Sequence, residues 1–168
     1  MNLIFKKFLK DPKHIGAIVE SSISSAKKVA SLINNTSTEN IVEIGGGTGR
    51  LSKFIENKNL SIVERDAEFT QILKDNYPNS KIINKCGIEF LNNYPNRYGL
   101  FTSIPLIENK TKIELTKVIN KHIENNQLEW FVILGYKFFN QLKGINFKNQ
   151  DRHLVLNNLP PAFIWHYY

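Results

Sequence analysis

An α/β fold built on a mainly parallel sheet is predicted by three features of this sequence. Short β-branched runs alternate with segments of helical periodicity, a glycine-dense turn closes the first such run, and two strand-like runs stand together near the carboxyl end. Strands that alternate with helices imply a parallel sheet covered on both faces, with right-handed crossovers. Residues 3–10 read as a short amphipathic helix. Residues 21–34 read as a longer one, with Ile23, Ala26, Val29, Ala30, Leu32 and Ile33 at helical spacing. A strand at 41–44 leads to a helix at 50–57. A second strand at 60–63 leads to a helix at 67–77, with Phe69, Ile72 and Leu73 inward and Pro78 closing it. A third strand covers 81–84 and a fourth 99–103, followed by a helix at 110–126 and an apolar fifth strand at 130–136. Strands at 153–157 and 163–167 pair as an antiparallel hairpin around Leu159-Pro160-Pro161, completing a seven-stranded sheet.

With 168 residues and no internal repeat or linker, the chain is expected to be a single domain over 1–168. Apolar residues at 42% and charged residues at 22% are those of a soluble globular protein. No run approaches the roughly 18 apolar residues of a membrane span. The start, MNLIFKKFLK, lacks the apolar core and cleavage site of a secretory signal. The single cysteine, Cys86, has no partner for an internal disulfide or a CxxC metal site, which points to a cytoplasmic location. A formal net charge of +7 suggests an anionic partner, nucleic acid or an acidic membrane surface. The abundance of Asn, Ile and Lys gives the lysines a compositional origin as well.

The turn in IVEIGGGTGRL carries most of the chemistry. Ligands of open parallel sheets bind beyond the carboxyl ends of the strands. The dinucleotide fingerprint begun at Gly45 and Gly47 meets Arg50 where its third glycine belongs, and no Gly-Lys pair completes a phosphate loop. An acid followed by alternating glycines remains: Glu43, Gly45, Gly47 and Gly49, with Gly46 between. Glu43 can face an ammonium group, and Gly45 and Gly47 let a ligand lie against bare backbone. Glu64, at the end of the next strand, stands where an acid takes both ribose hydroxyls. A ligand with an amino-acid end, a nucleoside end and no phosphate fits this set, which describes S-adenosylmethionine. The alternative is a tight turn flanked by two solvated strand ends.

EIGGGTG resembles motif I of the class I S-adenosylmethionine-dependent methyltransferases, and VERD, with Glu64 and Arg65, resembles their following acidic motif. That resemblance implies a Rossmann-like methyltransferase fold with N-terminal helices. Within the superfamily the chain is similar to bacterial phospholipid N-methyltransferases, which are related to the ribosomal RNA adenine dimethyltransferases. FLKDPKHIGAIVESS, FTSIPLI at 101–107 and NLPPAFIW at 158–165 carry this likeness, from Phe8 to Trp165. It implies S-adenosylmethionine as cofactor, with S-adenosylhomocysteine as product, and makes Gly16, Ile18 and Ser22 candidates for closing the cofactor pocket.

Amino-methylating relatives hold the acceptor amine at the end of the fourth strand, on an Asn/Asp-Pro-Pro-Tyr or Asn-Leu-Pro-Tyr motif. Ser103-Ile104-Pro105-Leu106 matches it here: the Ser103 hydroxyl and Ile104 carbonyl are available acceptors, and Pro105 stiffens the turn. Leu106 replaces the aromatic that stacks on a flipped base. This favours a small aliphatic amine such as that of phosphatidylethanolamine, with RNA adenine and a non-catalytic cofactor-binding role as alternatives. The chain also ends at Tyr168, leaving no room for the helical domain that the RNA enzymes add. Leu3, Ile4, Phe5, Phe8 and Leu9, beside Lys6, Lys7, Lys10 and Lys13, form an apolar and basic surface suited to an anionic bilayer, or to docking on the domain. A peripheral position on the inner face of the membrane follows from the first reading.

Other features are expected to be structural: the basic 110–126 helix with His122, the PPAFIW segment, and Tyr136 at a strand end. His14, His153 and His166 lack metal-ligand spacing. One departure concerns the Gly-Asp-Ala segment that methyltransferases place after the third strand. Here it reads Cys86-Gly87-Ile88, so Glu89, a backbone group or packing on Ile88 must serve the adenine. Gly99 likewise stands where an acid commonly precedes the fourth strand.

Overall fold

The computed structural model describes residues 22–56, 58–106, 108–140, 142–158 and 160–168; the expected helix at 3–10 and the candidates Gly16 and Ile18 lie outside them. Among the described residues four α-helices and seven strands follow in order: α1 (Ile23–Asn34), β1 (Asn40–Ile44), β2 (Asn59–Glu64), α2 (Ala67–Asn76), β3 (Lys81–Asn84), α3 (Gly87–Asn92), β4 (Tyr98–Thr102), α4 (Asn109–Glu124), β5 (Leu128–Gly135), β6 (Gln150–Val155) and β7 (Ala162–Tyr167). The sheet order is β3-β2-β1-β4-β5-β7-β6. The first five strands run parallel, and β7 inserts antiparallel between β5 and β6. The order reverses at β1, which has β2 on one side and β4 on the other, and a crevice opens at such a switch point.

Each face of the sheet carries its own apolar layer. Ala26, Val29 and Ile33 of α1 pack with Leu73 of α2 on Ile41, Ile62, Val132 and Ile164. Leu91 of α3 and Leu115, Val118 and Ile119 of α4 pack on Val42, Val63, Leu100 and Phe131 opposite. The helical spacing of α1 puts Ser25, Ala26, Val29, Ala30 and Ile33 on one buried face, and Ser22 caps it by accepting the Ser25 N–H at 3.1 Å.

Two expectations are corrected and one helix is added. The helix expected over 50–57 is a single 3-10 turn, Ser52–Phe54, because left-handed glycines precede it and Ile55 returns to extended backbone. The six-residue α3 is too short to show periodicity in the sequence. Strand β6 lies earlier than 153–157, since its register with β7 runs from Gln150 opposite Tyr167 to Val155 opposite Ala162. His122 is buried at 2% exposure, with the Tyr98 hydroxyl 2.7 Å from its Nδ1, so it has the partner that the sequence did not reveal.

Gly99 has a packing reason. A Cβ there would fall 2.0 Å from Cζ2 of Trp130, so the indole lies flat against the β4 backbone. Its Nε1 donates to Thr38 Oγ1 at 2.9 Å, and the Thr38 hydroxyl donates to Glu129 at 2.6 Å. Gly99→Ala should overpack this contact and cost about 1–3 kcal/mol. Urea unfolding monitored by tryptophan fluorescence measures that loss, and an unchanged midpoint would show that Trp130 has room to move.

Candidate active site

β1 delivers Glu43 and Ile44 to the switch point, and the chain then turns through Gly45, Gly47 and Gly49 with φ of +78°, +54° and +83°. A side chain at each would cost roughly 1–2 kcal/mol in this left-handed region. Neighbours fill the space beside most of these glycines. A Cβ on Gly45 would lie 2.2 Å from Ile104 Cγ2, on Gly46 2.3 Å from Ile62 Cγ2, and on Gly49 2.3 Å from Tyr77 Cε2. At Gly47 no described residue lies within 4 Å. Gly47 is therefore the position at which a ligand can lie along bare backbone. Gly45, expected to share that role, is covered by Ile104 instead.

The turn is held from outside by backbone and side-chain groups on other elements. The Gly45 N–H donates to the Val63 carbonyl at 2.8 Å, and the Gly47 N–H donates to Glu64 Oε2 at 2.9 Å. Glu64 Oε1 accepts the Asp66 N–H at 2.9 Å, so the buried carboxylate ties the glycine turn to the start of α2. Each oxygen keeps a lone pair for a ribose hydroxyl. Asn84 braces Glu64 from β3, donating to the Glu64 carbonyl at 2.9 Å and the Arg65 carbonyl at 3.0 Å. The Tyr77 hydroxyl donates to the Gly49 carbonyl, and burial followed by the charge of Glu43 pushes its pKa up to about 12, so it stays a donor. Neither Asn84 nor Tyr77 belonged to a motif. Only the fold brings them to the turn.

Glu43 is 1% exposed and accepts the Ser52 hydroxyl. Burial is the main cause that pushes its carboxyl up to about 8; the Ser52 bond opposes this, and the charge of Glu64 adds to it. A cation placed beside Glu43 would restore the carboxylate. The ammonium of an amino acid is such a cation. Serine at position 52, in the 3-10 turn, is thus part of the site.

The end of β4 abuts the same turn. The Thr102 hydroxyl donates to the Ile44 carbonyl at 2.7 Å and accepts the Ile104 N–H at 3.1 Å. This one hydroxyl joins the strand that carries Glu43 to the segment Ser103-Ile104-Pro105, whose three residues are all partly exposed. Leu106 turns into the core at 2% exposure.

Of the remaining candidates, Ile88 is half-buried on the α3 face and Arg65 is exposed beyond β2. Ser22 uses its hydroxyl as the α1 cap, and its N–H donates to Asn158 Oδ1 at 2.7 Å. Glu89 is exposed. The missing acid after β3 has a steric cause: a Cβ on Gly87 would lie 2.8 Å from Ile44 Cβ. Helix α3 starts too close to β1 for any side chain at that position.

The sequence profile of the ribosomal RNA adenine dimethylase family matches residues 5–160. The chain belongs to this family. Its members and the fold's neighbours are class I methyltransferases, and this chain is an S-adenosylmethionine-dependent methyltransferase. Among solved structures it is similar to the precorrin-6y C5,15-methyltransferase of Geobacter metallireducens GS-15, at TM-score 0.68 and 13% identity, covering 94% of this chain and 95% of that one. The 23S rRNA methyltransferase ErmE aligns at TM-score 0.63 and 13% identity over 90% of this chain and 69% of that one. The METTL16 methyltransferase domain aligns at 0.63 and 12% over 84% and 79%. No curated protein matches in sequence.

In this methyltransferase, cofactor binding should release a proton. Without a cation nearby, Glu43 holds its proton up to about pH 8. A cofactor ammonium placed beside Glu43 would favour the carboxylate, so affinity should then rise with pH and level off above about 8. Titration calorimetry with S-adenosylhomocysteine in two buffers of different ionisation enthalpy should reveal the proton, and Glu43→Gln should abolish it. A proton count unchanged in that variant would assign the release elsewhere. The folded protein alone shows the opposite sign. A carboxyl raised from 4.5 to about 8 contributes stability below the lower value that is lost as pH rises through the upper one. Tyr77→Phe removes only the bond to the Gly49 carbonyl. Because that bond exists in the free protein, its loss should lower the melting temperature by about 2–4 °C, the effect of roughly 1 kcal/mol, and an unchanged melting temperature would show that the bond does not hold the turn.

Proposed function

We propose that this methyltransferase acts on the exocyclic amino group of adenine in RNA. Membership of the ribosomal RNA adenine dimethylase family across nearly the whole described chain is the observation that carries the reading. It reverses the order in which the sequence alone ranked the two substrates. Bound S-adenosylmethionine would supply a methyl group on a sulfonium, with Glu43, Gly47 and Glu64 as the residues that would hold it, and the amine nitrogen would take that methyl and give up a proton. The nitrogen's N–H groups are held by acceptors on the turn after β4, the Ser103 hydroxyl and the Ile104 carbonyl, and one proton passes to water. Catalysis is mostly positioning. The packing of Ile104 against Gly45 and the Thr102 hydroxyl, which bring that turn against the glycine turn, support this role.

A second reading, methylation of the phosphatidylethanolamine amine, is favoured by one observation. Leu106 replaces the base-stacking aromatic and is buried, so this position offers no ring to a flipped base. No helix among the described residues is long and apolar enough to cross a membrane.

Cofactor labelled in its methyl group, total RNA, and vesicles of phosphatidylethanolamine with anionic lipid separate the two readings. Label in N6-methyladenine, lost in Glu64→Ala, is the expected result. Label confined to the lipid phase would transfer the assignment to the phospholipid amine.

A further inference from the structure

At its β6 edge the sheet carries α1 on one face and, among the described residues, only irregular chain on the other, where Leu142, Ile145 and Phe147 join the cluster of Tyr167 and Trp165. Val155, Ala162 and Ile164 meet α1 on the inner face. On the outer face the hairpin register sets Arg152 opposite Trp165 and Leu154 opposite Phe163. Phe138, from the segment after β5, lies edge-on to Phe163 with ring centroids 5.6 Å apart. The Arg152 guanidinium sits 4.5 Å from the Phe138 centroid and 5.6 Å from that of Trp165. The described residues of 136–149 contribute no helix or strand to this face. Phe138, Phe139, Leu154 and Leu156 are 67%, 63%, 52% and 71% exposed. Lys137, Lys143 and Lys148 are exposed in the same segment, and the acid beside Arg152, Asp151, accepts the Tyr168 hydroxyl at 3.0 Å.

We propose that this outer face of the terminal hairpin is a docking surface for single-stranded RNA flanking the methylated base. The inference rests on the RNA reading above. Aromatic rings and arginine planes are the surfaces on which unpaired bases stack, and lysines around them neutralise phosphates. The face lies at the end of the sheet where the β6–β7 turn stands, which is also the carboxyl end of the parallel strands, and so it leads toward the methyl-acceptor turn. The position of Arg152 decides between RNA and a bilayer. Membrane-surface segments carry their cations at the rim, whereas here the guanidinium lies in the middle of the apolar group, where insertion into lipid would bury it at high cost.

Fluorescence anisotropy with a labelled, unstructured oligoadenylate tests the surface, using Arg152→Gln, Phe138→Ala and, because Phe138 also touches Phe163, Phe138→Leu, which keeps an apolar contact and removes the ring. Each variant should weaken RNA binding by roughly tenfold, the size of one lost base stack, with S-adenosylhomocysteine binding and melting temperature unchanged. Parent-like RNA affinity in all three would overturn the proposal. If the parent methylates RNA in that case, only the docking surface is wrong. If the parent neither binds nor methylates RNA, the RNA reading fails with it. Loss of vesicle sedimentation with unaltered RNA binding would assign the face to a membrane and equally overturn the proposal.

Discussion

The site depends on a backbone that L side chains cannot follow. Three left-handed glycines let the chain leave β1 and double back within a few residues, and every other part of the site is arranged around that turn. Such a turn has no regular hydrogen-bond ladder of its own. It is held by groups supplied from outside: the Val63 carbonyl and Glu64 carboxylate from β2, and the Tyr77 hydroxyl from the end of α2. Glu64 therefore has a structural role before any cofactor arrives. A carboxylate fixed by two backbone N–H groups is already aimed, so little ordering is left for binding to supply.

The two carboxylates near the turn receive opposite treatment. Glu64 has two N–H donors at 2.9 Å. Glu43 is held toward its neutral form by burial, against the pull of the Ser52 hydroxyl bond. One acid is kept ready as an acceptor, while the other becomes a full anion once a cation lies beside it. Desolvation makes the site selective for a positively charged ligand end, because a neutral ligand would leave Glu43 nothing to ionise for.

Much of this was legible in the sequence because it is local. The strand-turn pattern, the glycine spacing and both acids sit within residues 41–66, and the sheet, its parallel strands and its closing hairpin follow from alternation. What could not be read depends on distant partners. Gly99 was noted as a missing acid, but its cause, the indole of Trp130, lies 31 positions away. Gly87 was noted as a missing Asp, and Ile44 explains it only when β1 and α3 are in contact. Asn84, Tyr77 and Thr102 have no motif, since a single polar side chain at a strand or helix end has no periodic signature. In the sequence the phospholipid amine is favoured by Leu106, by the likeness to the phospholipid enzymes and by the basic apolar start, and family membership outweighs all three.

The strand order has a consequence for how the molecule assembles. β6 pairs only with β7 among the described strands, and β7 lies between it and β5. Strand β6 therefore cannot join the sheet when it is made; it must wait for residues 162–167. The same wait applies to the start of α1, because Asn158 Oδ1, in the β6–β7 turn, accepts both the Ser22 N–H at 2.7 Å and the Ser25 hydroxyl at 2.9 Å. These contacts close loops of more than a hundred residues, which makes them late steps in folding. The parallel strands can form first, leaving the hairpin and the α1 cap as a final docking event. They should also be the first unit to open, so local unfolding would begin at the sheet edge that carries the proposed RNA surface.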